Sequence, residues 1–594
     1  MRRYLGLLVW LPMLASWGCT SENGEEAAYS HSEGAFGHHT YCFTGPQLSE
    51  QSETSPFVDV RLLLVLRGPE ERKLIPGFFA ADGNAAESSA RSGNQWCVHA
   101  RGFAAGTYTG EVFFEQGEGL ALRQNSIRGE ALPGHGEKVT FTVNALQKVD
   151  GWLEYENSPY PRFSESGKMY LKSGTNSPEN LLAFADIDGT YAYDTAKQFI
   201  KTYEKHLADW KTGDPTWQNG KGKGLIGALN YLASEGINGV YFVTNNIGGD
   251  ARDVWPFVSH DTLNRYDVSK LAQWDIVFQH AEKLGIALQF VTQETENETM
   301  LDEGATGKQR SLYYRELVAR FGYHNAIVWN LGEENGETPW ADDPFQNDVQ
   351  RADMAAWFAA NDPNAHPVVI HTLPEPDLKA PILNALLANA DLDGVSHQTS
   401  TKSMVHDDMV HWRNASDSAG HSWMLSMDEI GPWHTGSQSD AADPAHDTLR
   451  KEVMWGSFMA GAFGVEWYFG WRGDQHDLNA EDFRSRQNLW RQTESCVDFF
   501  QEFELLLEDM RPADHLVGDN AWCLANPKTT YIVYLPNGGS TTLDLSGAEK
   551  TIFGVYWTNP KTGKQEKGTT NVSGGDQIIL NAPSAAHDWV ATLL

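Results

Sequence analysis

Apolar and polar positions alternate along residues 150–510 in a way that predicts strands and helices in turn. The helical segments have one apolar face, and one of them carries Leu271, Trp274, Val277, Phe278, Ala281 and Leu284 on that face. The strand candidates are 169–173, 238–245, 286–292, 326–331, 367–372, 392–397, 422–427 and 461–468. Eight strands alternating with helices are typical of a (β/α)8 barrel. A doubly wound sheet is the alternative, but the chain contains no P-loop to support it.

A different pattern flanks this region on both sides. Residues 36–146 contain short runs in which apolar and polar positions alternate, such as 58–65, and glycine-rich turns separate them. Residues 515–594 show the same pattern, for example at 530–535. Such runs are typical of β-sandwiches. We therefore predict a multidomain chain, in which a TIM barrel lies between an N-terminal and a C-terminal β-sandwich.

The first residues have the pattern of an export signal. Arg2 and Arg3 precede an apolar run over residues 5–15, which is too short to cross a membrane. Cys19 follows Gly18 and resembles the lipidation site of bacterial lipoproteins. We expect a signal peptide over 1–18, lipidation at Cys19 and a linker over 19–35. No later segment is apolar enough to cross a bilayer, so we expect membrane attachment only through this lipid anchor.

The balance of charge excludes one class of partner. The chain has 79 acidic and 45 basic residues and a net charge of -34, whereas nucleic-acid binding needs Lys and Arg. The 21 Trp residues suit a sugar-binding cleft, because indole rings stack on apolar sugar faces, although Trp is also common in cores. The sequence contains no Cys or His cluster with zinc spacing, so we predict neither a metal site nor a cofactor. The oligomeric state stays open.

Apart from Cys19, four cysteines remain, and an even number in an exported chain favours disulfides. We predict one disulfide between Cys42 and Cys97 within the N-terminal sandwich. We predict a second between Cys496 and Cys523, which would join the last barrel helix to the C-terminal domain. Four buried free thiols are the alternative.

Two segments carry the candidate chemistry. Residues 329–335 (WNLGEEN) and 424–432 (MLSMDEIGP) each continue an apolar run into a pair of carboxylates, Glu333–Glu334 and Asp428–Glu429. Glycoside hydrolysis needs two carboxylates, one that protonates the leaving oxygen and one that attacks the sugar or activates water. The pairs follow the fourth and the seventh predicted strand, and barrel enzymes place their chemistry at these strand ends. Ordinary caps of the following helices are the alternative interpretation.

The remaining strand ends are also polar, and three tryptophans, Trp433, Trp467 and Trp471, lie at or after the ends of the last two strands. Together these residues suggest a sugar-binding cleft. The predicted substrate-binding residues are Asn245, Asn246, Glu294, Glu296, Asn330, Glu333, His371, His397, Gln398, Asp428, Trp433 and Trp467. The candidates for binding an anionic substituent are Lys172, Arg252 and Lys308.

The motifs resemble those of known bacterial proteins. The arrangement of carboxylates after strands four and seven resembles the large clan of retaining glycosidases built on this barrel. Residues 55–59 (SPFVD), 76–83 (PGFFAADG) and 93–96 (GNQW) resemble an N-terminal sandwich of unknown function that precedes barrels in exported glycosidase-like proteins. The barrel motifs 213–217 (GDPTW), 266–271 (YDVSKL), 313–317 (YYREL) and 329–335 are similar to those of the apiosidase-like hydrolases. Residues 533–539 (VYLPNGG) and 588–590 (DWV) resemble a module labelled "putative collagen-binding".

The resemblance implies roles for particular carboxylates. The apiosidase-like motif ends in Gly-Gly-Asp, whereas this chain has Gly332-Glu333-Glu334, so Glu334 takes the position of the general acid and base. Glu429 takes the position of the nucleophile, and Glu333 and Asp428 would lie behind these two. The substitution in the motif leaves the linkage and the sugar open.

Two functions from different classes fit these patterns. The first is an exported glycoside hydrolase that acts on a polysaccharide or oligosaccharide with retention of configuration. The second is a non-catalytic surface lipoprotein that binds glycan or collagen and uses the barrel as a scaffold. The sequence has no GxSxG elbow and no HExxH motif, which argues against a serine hydrolase and a zinc protease.

Overall fold

The computed structural model describes residues 29–34, 37–69, 71–145, 149–194, 199–340, 344–566 and 571–594. The predicted signal peptide and Cys19 lie outside these residues. Within them, no helix is both long and apolar enough to cross a bilayer.

The N-terminal domain consists of two antiparallel sheets. One sheet has the order β1-β2-β6-β5 and the other β4-β3-β7-β8, with β9 paired to β7. The strands are β1 Tyr29–Glu33, β2 His39–Ser49, β3 Val60–Arg67, β4 Arg72–Pro76, β5 Phe78–Phe79, β6 Ser92–Ala100, β7 Gly106–Gln116, β8 Glu130–Ala131 and β9 Lys138–Val143. A short helix, α1, spans Ala85–Ser88. Aromatic rings from both sheets meet in the core, where Trp96 lies 5.6 Å from Phe114.

One boundary of this domain differs from our expectation. Strand β1 lies within the segment 19–35 that we predicted as a linker. It pairs with β2, and the ring of Tyr29 packs at 5.6 Å from Tyr41 and 5.4 Å from Phe43. The single tyrosine in a polar stretch gave too little apolar signal to predict a strand.

Eight parallel strands in the described residues close into a barrel, as predicted. They are β12 Lys172–Thr175, β13 Gly239–Val243, β14 Ala287–Val291, β15 Ile327–Asn330, β16 Val368–His371, β17 Gly394–Thr399, β18 Met424–Ile430 and β19 Gly464–Trp467. The first and last strands, β12 and β19, pair with each other and complete the ring. A two-stranded hairpin, β10 Leu153–Glu154 and β11 Arg162–Phe163, precedes the barrel.

Helices alternate with the barrel strands. They are α2 Lys223–Ser234, α3 Val268–Lys283, α4 Lys308–Phe321, α5 Asp348–Asn361, α6 Pro376–Leu386, α7 Val405–Ala419, α8 Gly456–Met459, α9 Gln487–Gln501 and α10 Glu504–Leu507. A π-helical turn, Leu449–Trp455, leads directly into α8. Short 3-10 turns occupy Leu120–Leu122, Glu204–Asp209, Thr295–Asn297, Asp302–Gly304, Lys402–Met404, Asp477–Asn479, Phe483–Arg486, Asp514–Leu516 and Ser546–Ala548. The barrel strands are buried along their whole length, which explains why most of them are rich in apolar residues without strict alternation, although β12 and β17 are largely polar.

The C-terminal domain is built from antiparallel strands. One sheet has the order β20-β21-β22-β28-β24-β25, with β26 on β24, and β23 pairs with β27. The strands are β20 Arg511–Pro512, β21 Trp522–Asn526, β22 Thr530–Leu535, β23 Ser540–Asp544, β24 Ile552–Thr558, β25 Gln565–Glu566, β26 Asn571–Ser573, β27 Gln577–Asn581 and β28 Trp589–Leu593. This domain packs on the barrel through Arg450, which binds both carboxylate oxygens of Asp588 at 2.9 Å.

The structure confirms one predicted disulfide and contradicts the other. Cys42 and Cys97 are directly opposite each other on β2 and β6, with their Cα atoms 4.0 Å apart, and they form a disulfide. Cys496 and Cys523 are free and buried. Cys496 packs in the barrel core, whereas Cys523 packs in the separate core of the C-terminal domain. Each thiol thus points into its own domain, which prevents a bond across the interface.

Candidate active site

The seventh barrel strand, β18, has a register shift where the candidate nucleophile lies. The β17–β18 ladder skips Asp428, which is a bulge. Alternation along a regular strand would turn Asp428 and Glu429 to opposite faces. The bulge instead places both side chains inside the barrel, where Asp428 contacts Lys172 and Glu429 contacts His371.

Asp428 belongs to a set of buried polar side chains that fills the barrel below Glu429. Lys172 Nζ lies 2.7 Å from Asp428 Oδ1 and 3.4 Å from Glu466 Oε1. Gln289 Nε2 donates to Asp428 Oδ2 at 3.0 Å and to Ser396 Oγ at 3.2 Å. We call these five residues the interior network. The predictions that Asp428 binds substrate and that Lys172 binds an anionic substituent are therefore wrong, because each is fully engaged by its neighbours.

Glu429 lies at the mouth of the barrel, directly above this network. Its Oε2 is 3.4 Å from His371 Nε2. The other ring nitrogen, Nδ1, is 3.3 Å from Ser396 Oγ and 3.4 Å from the hydroxyl of Tyr241. The buried hydroxyls thereby hold the imidazole so that Nε2 faces the candidate nucleophile.

The end of the fourth strand brings two more carboxylates to the same place. Glu334 has a left-handed backbone, with φ of 46°, and its Oε1 accepts a hydrogen bond of 2.8 Å from Gln398 Nε2. An oxygen of Glu333 lies within 4.8 Å of both a His371 nitrogen and a Glu429 oxygen. Burial, and then the charge of Glu429, raises the pKa of both Glu333 and Glu334 well above the usual range. Both groups are thus biased toward the protonated form that a general acid needs.

Sequence reasoning missed one carboxylate of this site. Oxygens of Glu179, Glu294 and Glu333 lie within 4.8 Å of one another. Glu179 lies four residues past the end of β12 at Thr175, the same offset that separates Glu334 from Asn330 at the end of β15. That common offset is the signal that could have found it. The acidic mouth cluster comprises Glu179, Glu294, Glu333, Glu334 and Glu429.

A second missed carboxylate adjoins the cluster. Asp477 lies in the loop after β19, and its Oδ1 accepts a hydrogen bond of 3.3 Å from the backbone N–H of Glu179. Burial raises the pKa of Asp477 to about 7, and the charge of Glu429 adds to this shift. Asp477 therefore adds to the concentration of carboxylates at the mouth.

Two predicted substrate-binding residues face away from the mouth. His397 Nε2 lies 2.8 Å from Asp408 and 3.2 Å from Lys379 Nζ, both on helices outside the barrel. The indole of Trp467 donates to Thr493 Oγ1 on α9 at 2.9 Å. Strand alternation gives the physical reason, since each is the neighbour of a residue that faces inward. The assignments of His397 and Trp467 are therefore wrong.

Three predicted asparagines lie at strand ends and have different surroundings. Asn246 Oδ1 accepts from the backbone N–H groups of Asp253 and Val254, at 3.0 and 2.8 Å, so it organises its own loop. Asn245 Oδ1 accepts a hydrogen bond from its own loop, at 3.3 Å from the nitrogen of residue 247. Asn330 is buried, and its Nδ2 has no partner among the described residues. Asn330 thus retains a free donor group.

Aromatic side chains form one rim of the site. Trp433 is 58% exposed, and the guanidinium of Arg472 lies 4.9 Å from its ring centroid. The hydroxyl of Tyr468 donates to the Trp433 carbonyl at 2.9 Å. Trp471 Nε1 donates to Asp250 Oδ2 at 2.8 Å, which joins the loops after β13 and β19. The indole of Trp433 is exposed while Tyr468 fixes its backbone, and such an indole suits stacking against a sugar ring.

The remaining predicted residues lie further out. Glu296 is half-buried, and its charge contributes to the raised pKa of Glu294 and Glu334, after burial. Arg252 donates to backbone carbonyls of its own loop, and Lys308 is exposed at the start of α4. Neither cation forms an ion pair with the acidic mouth cluster in the described part of the chain.

The C-terminal domain matches a known family. Residues 515–594 match the family described as "Putative collagen-binding domain of a collagenase". None of the curated proteins matches the chain.

Solved structures resemble larger parts of the chain. A "putative glycoside hydrolase" from Bacteroides vulgatus ATCC 8482 has a TM-score of 0.62 at 13% identity and covers 93% of this chain and 98% of its own. A structure described as "Glycoside hydrolase" has a TM-score of 0.54 at 14% identity over 75% of this chain and 97% of its own. A glycoside hydrolase family 5 structure from Bacteroides vulgatus ATCC 8482 has a TM-score of 0.53 at 14% identity, over 75% of this chain and 94% of its own. At these identities the similarity shows a shared fold.

Proposed function

We propose that this protein is an exported glycoside hydrolase that acts on a polysaccharide or oligosaccharide with retention of configuration. One observation carries the proposal. Carboxylates from the ends of the fourth and seventh strands converge at the barrel mouth, where oxygens of Glu333 and Glu429 lie within 4.8 Å of each other. Retaining enzymes hold their two carboxyl groups about 5–5.5 Å apart, whereas inverting enzymes leave about 6.5–9.5 Å for a water molecule. Glu334 follows Glu333 directly, and the charge of Glu429 helps to raise the pKa of Glu334, so the proposal includes a separation of the Glu334 and Glu429 carboxyl groups in the retaining range.

The two steps follow from the placement of the side chains. In the first step, the carboxylate of Glu429 attacks the anomeric carbon and forms a glycosyl ester, while Glu334 gives its proton to the departing glycosidic oxygen. In the second step, water attacks the anomeric carbon, Glu334 takes up a proton from that water, and the Glu429 carboxylate leaves. One glycosidic bond and one water molecule are consumed, and two inversions restore the original configuration.

Glu334 is assigned as the acid rather than Glu333 because of its exposure. Glu334 is half-buried and accepts a hydrogen bond from Gln398 at the mouth. Glu333 is buried and lies beside Glu179 and Glu294 as well as Glu429. A group that protonates a leaving oxygen must reach substrate.

A polysaccharide panel tests the activity and the roles together. Release of reducing ends is measured for the wild type and for Glu429→Ala, Glu334→Gln and Glu333→Gln, with the exposed Glu337→Gln as matched control. We expect release by the wild type and the control and loss of release in Glu429→Ala. Wild-type rates in Glu429→Ala would overturn the assignment of the nucleophile.

Azide and an activated substrate separate the acid from its neighbour. An aryl glycoside with a good leaving group needs no acid in the first step, so Glu334→Gln should still form the glycosyl ester. Azide should then restore turnover of that variant and yield a glycosyl azide of unchanged configuration. Rescue of Glu333→Gln instead would transfer the acid role to Glu333. An initial sugar product of inverted configuration would overturn the retaining mechanism.

The C-terminal match favours a second candidate, in which the protein binds a matrix polymer without turnover. This candidate predicts that collagen or one glycan retards the wild type and Glu429→Ala equally in affinity electrophoresis. No release of reducing ends from any polysaccharide, together with equal retardation of the wild type and Glu429→Ala, would favour this candidate over the hydrolase.

Export and lipid attachment form part of the proposal. The support is the sequence pattern around Cys19, which precedes the described residues. Fractionation of cells that express the full chain, with Cys19→Ser as the comparison, tests it. We expect the wild type in the membrane fraction and the variant in the soluble exported fraction, and the same distribution for both would overturn lipidation.

A further inference from the structure

Three members of the acidic mouth cluster form a group of their own. Glu179, Glu294 and Glu333 come from the ends of the first, third and fourth barrel strands, and one oxygen of each lies within 4.8 Å of the others. We call them the acidic triad. Three strands that are separate in sequence thus deliver hard oxygen atoms to one point.

Each triad member also has an oxygen atom with no hydrogen-bond partner. These atoms are Glu179 Oε1, Glu294 Oε1 and Glu333 Oε2. The side chains are 6%, 3% and 7% exposed, so water does not replace the missing partners freely. Among the described residues, no Lys or Arg forms an ion pair with any of the three. Unpartnered acceptors and closely spaced carboxylates are independent observations, and both point to a positive ligand.

The buried carboxylates of the acidic triad can be neutralised in only a few ways. Burying an unpaired carboxylate is strongly unfavourable, and a second carboxylate nearby makes it worse. Either protons or a cation must neutralise the triad. Protons can supply donors between pairs of oxygens, but they leave the remaining acceptors unsatisfied, whereas one cation can bind an oxygen from all three side chains at once.

We propose that Glu179, Glu294 and Glu333 bind a divalent cation, with calcium as the ion that fits best. Hard carboxylate oxygens select calcium, magnesium or manganese over softer metals. Calcium binds oxygens at about 2.3–2.6 Å, so two of its ligands can be up to about 4.6–5.2 Å apart, which includes the 4.8 Å limit found here. Magnesium demands near-ideal octahedral geometry at about 2.0–2.1 Å and usually keeps several waters, so a site built from three protein carboxylates suits calcium better.

The cation would tie together the loops that follow three strands of the barrel. Glu333 precedes Glu334 directly, so fixing Glu333 also fixes the backbone that presents Glu334 beside Gln398. This inference goes beyond the proposed hydrolase and does not depend on it. Cation binding is measured without substrate, so its outcome and the outcome of the polysaccharide panel are separate.

Calorimetric titration of the chelator-treated full chain with Ca²⁺ tests the site. The buffer contains physiological salt, which screens diffuse binding to a chain of net charge -34. We expect one tight site in the wild type, and Glu179→Gln and Glu294→Gln should weaken it by at least about tenfold. The exposed Glu337→Gln removes the same charge from the loop that carries Glu333 and should bind as the wild type does.

Thermal unfolding gives a second measurement that does not rely on heat of binding. Without cation, the triad must either keep repelling charges or take up protons at a cost in stability at neutral pH, so Glu179→Gln and Glu294→Gln should raise the melting temperature of the chelator-treated protein. Added Ca²⁺ should raise the melting temperature of the wild type and of Glu337→Gln but not of the two triad variants.

Two results would overturn the proposal. One is the absence of a binding isotherm and of any melting shift in the wild type with millimolar Ca²⁺, Mg²⁺ or Mn²⁺, which would mean that protons neutralise the triad. The other is equal Ca²⁺ affinity in the wild type and both triad variants, which would mean that the ion binds elsewhere on the acidic surface.

Discussion

The interior network and the acidic mouth cluster meet at two consecutive residues, Asp428 and Glu429, yet their charges are arranged in opposite ways. In the interior network, Lys172 lies within 3.4 Å of two carboxylates, and Gln289 donates to one of them. In the acidic mouth cluster, carboxylates crowd together without a Lys or Arg among the described residues to pair with them.

Burial alone does not distinguish a structural carboxylate from a functional one. Asp428 and Glu429 are both buried, and both lie on one strand. Asp428 has partners that fulfil its hydrogen-bonding capacity, so it stabilises the barrel. At the mouth, Glu179, Glu294 and Glu333 keep oxygens without a hydrogen-bond partner, and the pKa values of these three are raised with no Lys or Arg of the described residues paired with them. Glu466 in the interior network also has unpartnered oxygens and a raised pKa, but Lys172 lies 3.4 Å from it.

The largest effect that the comparison predicts is on turnover. Glu429→Ala should lower kcat/KM for a true substrate by on the order of 10⁴-fold or more, because the covalent step loses its nucleophile. The melting temperature should stay near that of the wild type, since Glu429 has no short ion pair to lose. Steady-state kinetics measures the loss of kcat/KM, and thermal unfolding measures the melting temperature. A folded variant with normal kcat/KM would contradict the prediction.

The next effect is on stability and comes from the interior network. Lys172→Met leaves Asp428 and Glu466 buried without their cation, so the free energy of unfolding should fall by about 3–5 kcal/mol. Urea unfolding measures it. The exposed Lys308→Met is the matched control and should change the free energy by less than about 0.5 kcal/mol. Equal stability of the two variants would mean that the interior network does not stabilise the barrel.

A smaller effect on catalysis should follow from removing a single hydrogen bond in the mouth. Gln398→Leu deletes the donor to Glu334, and we expect kcat to fall by about tenfold with little change in KM. The reason is that the amide positions the acid rather than binding the sugar. A large rise in KM with unchanged kcat would instead make Gln398 a substrate-binding residue.

The smallest effect concerns a third buried charge cluster, which joins the barrel to the N-terminal sandwich and is balanced like the interior network. His324 lies 2.8 Å from Glu282 and 3.2 Å from Asp275. Burial alone would lower the pKa of His324, but its hydrogen bonds to Asp275 and Glu282 outweigh burial and raise it. Burial alone would raise the pKa of both carboxyls, but partners that include His324 outweigh it and lower them.

These pKa shifts define the pH range in which the cluster stabilises the interface. The raised pKa of His324 adds stability below about pH 6.5, which is lost as the pH rises through the folded value. The lowered pKa values of Asp275 and Glu282 add stability above about pH 4.5, which is lost as the pH falls. The melting difference between the wild type and His324→Gln should therefore be largest between these limits and shrink above neutral pH. A difference that stays constant up to pH 9 would contradict this. His38, His99, Arg101 and Tyr323 also act on this cluster.

The outline of the fold and the two segments that carry the candidate carboxylates could be predicted from the sequence. Strands buried on both faces are rich in apolar residues, so the strand candidates could be found, and the carboxylates at 333–334 and 428–429 marked the ends of two of them. The disulfide between Cys42 and Cys97 was also predictable, because both cysteines lie in one sandwich.

What the tertiary structure decided is which way individual side chains point and what they meet there. A bulge turns Glu429 inward beside Asp428, and alternation turns His397 and Trp467 outward, because a shift of one residue moves a side chain to the other face. Cys496 and Cys523 stay apart because each packs in its own core. The acidic triad combines residues from three strand ends far apart in sequence, and only closure of the barrel brings their oxygens together.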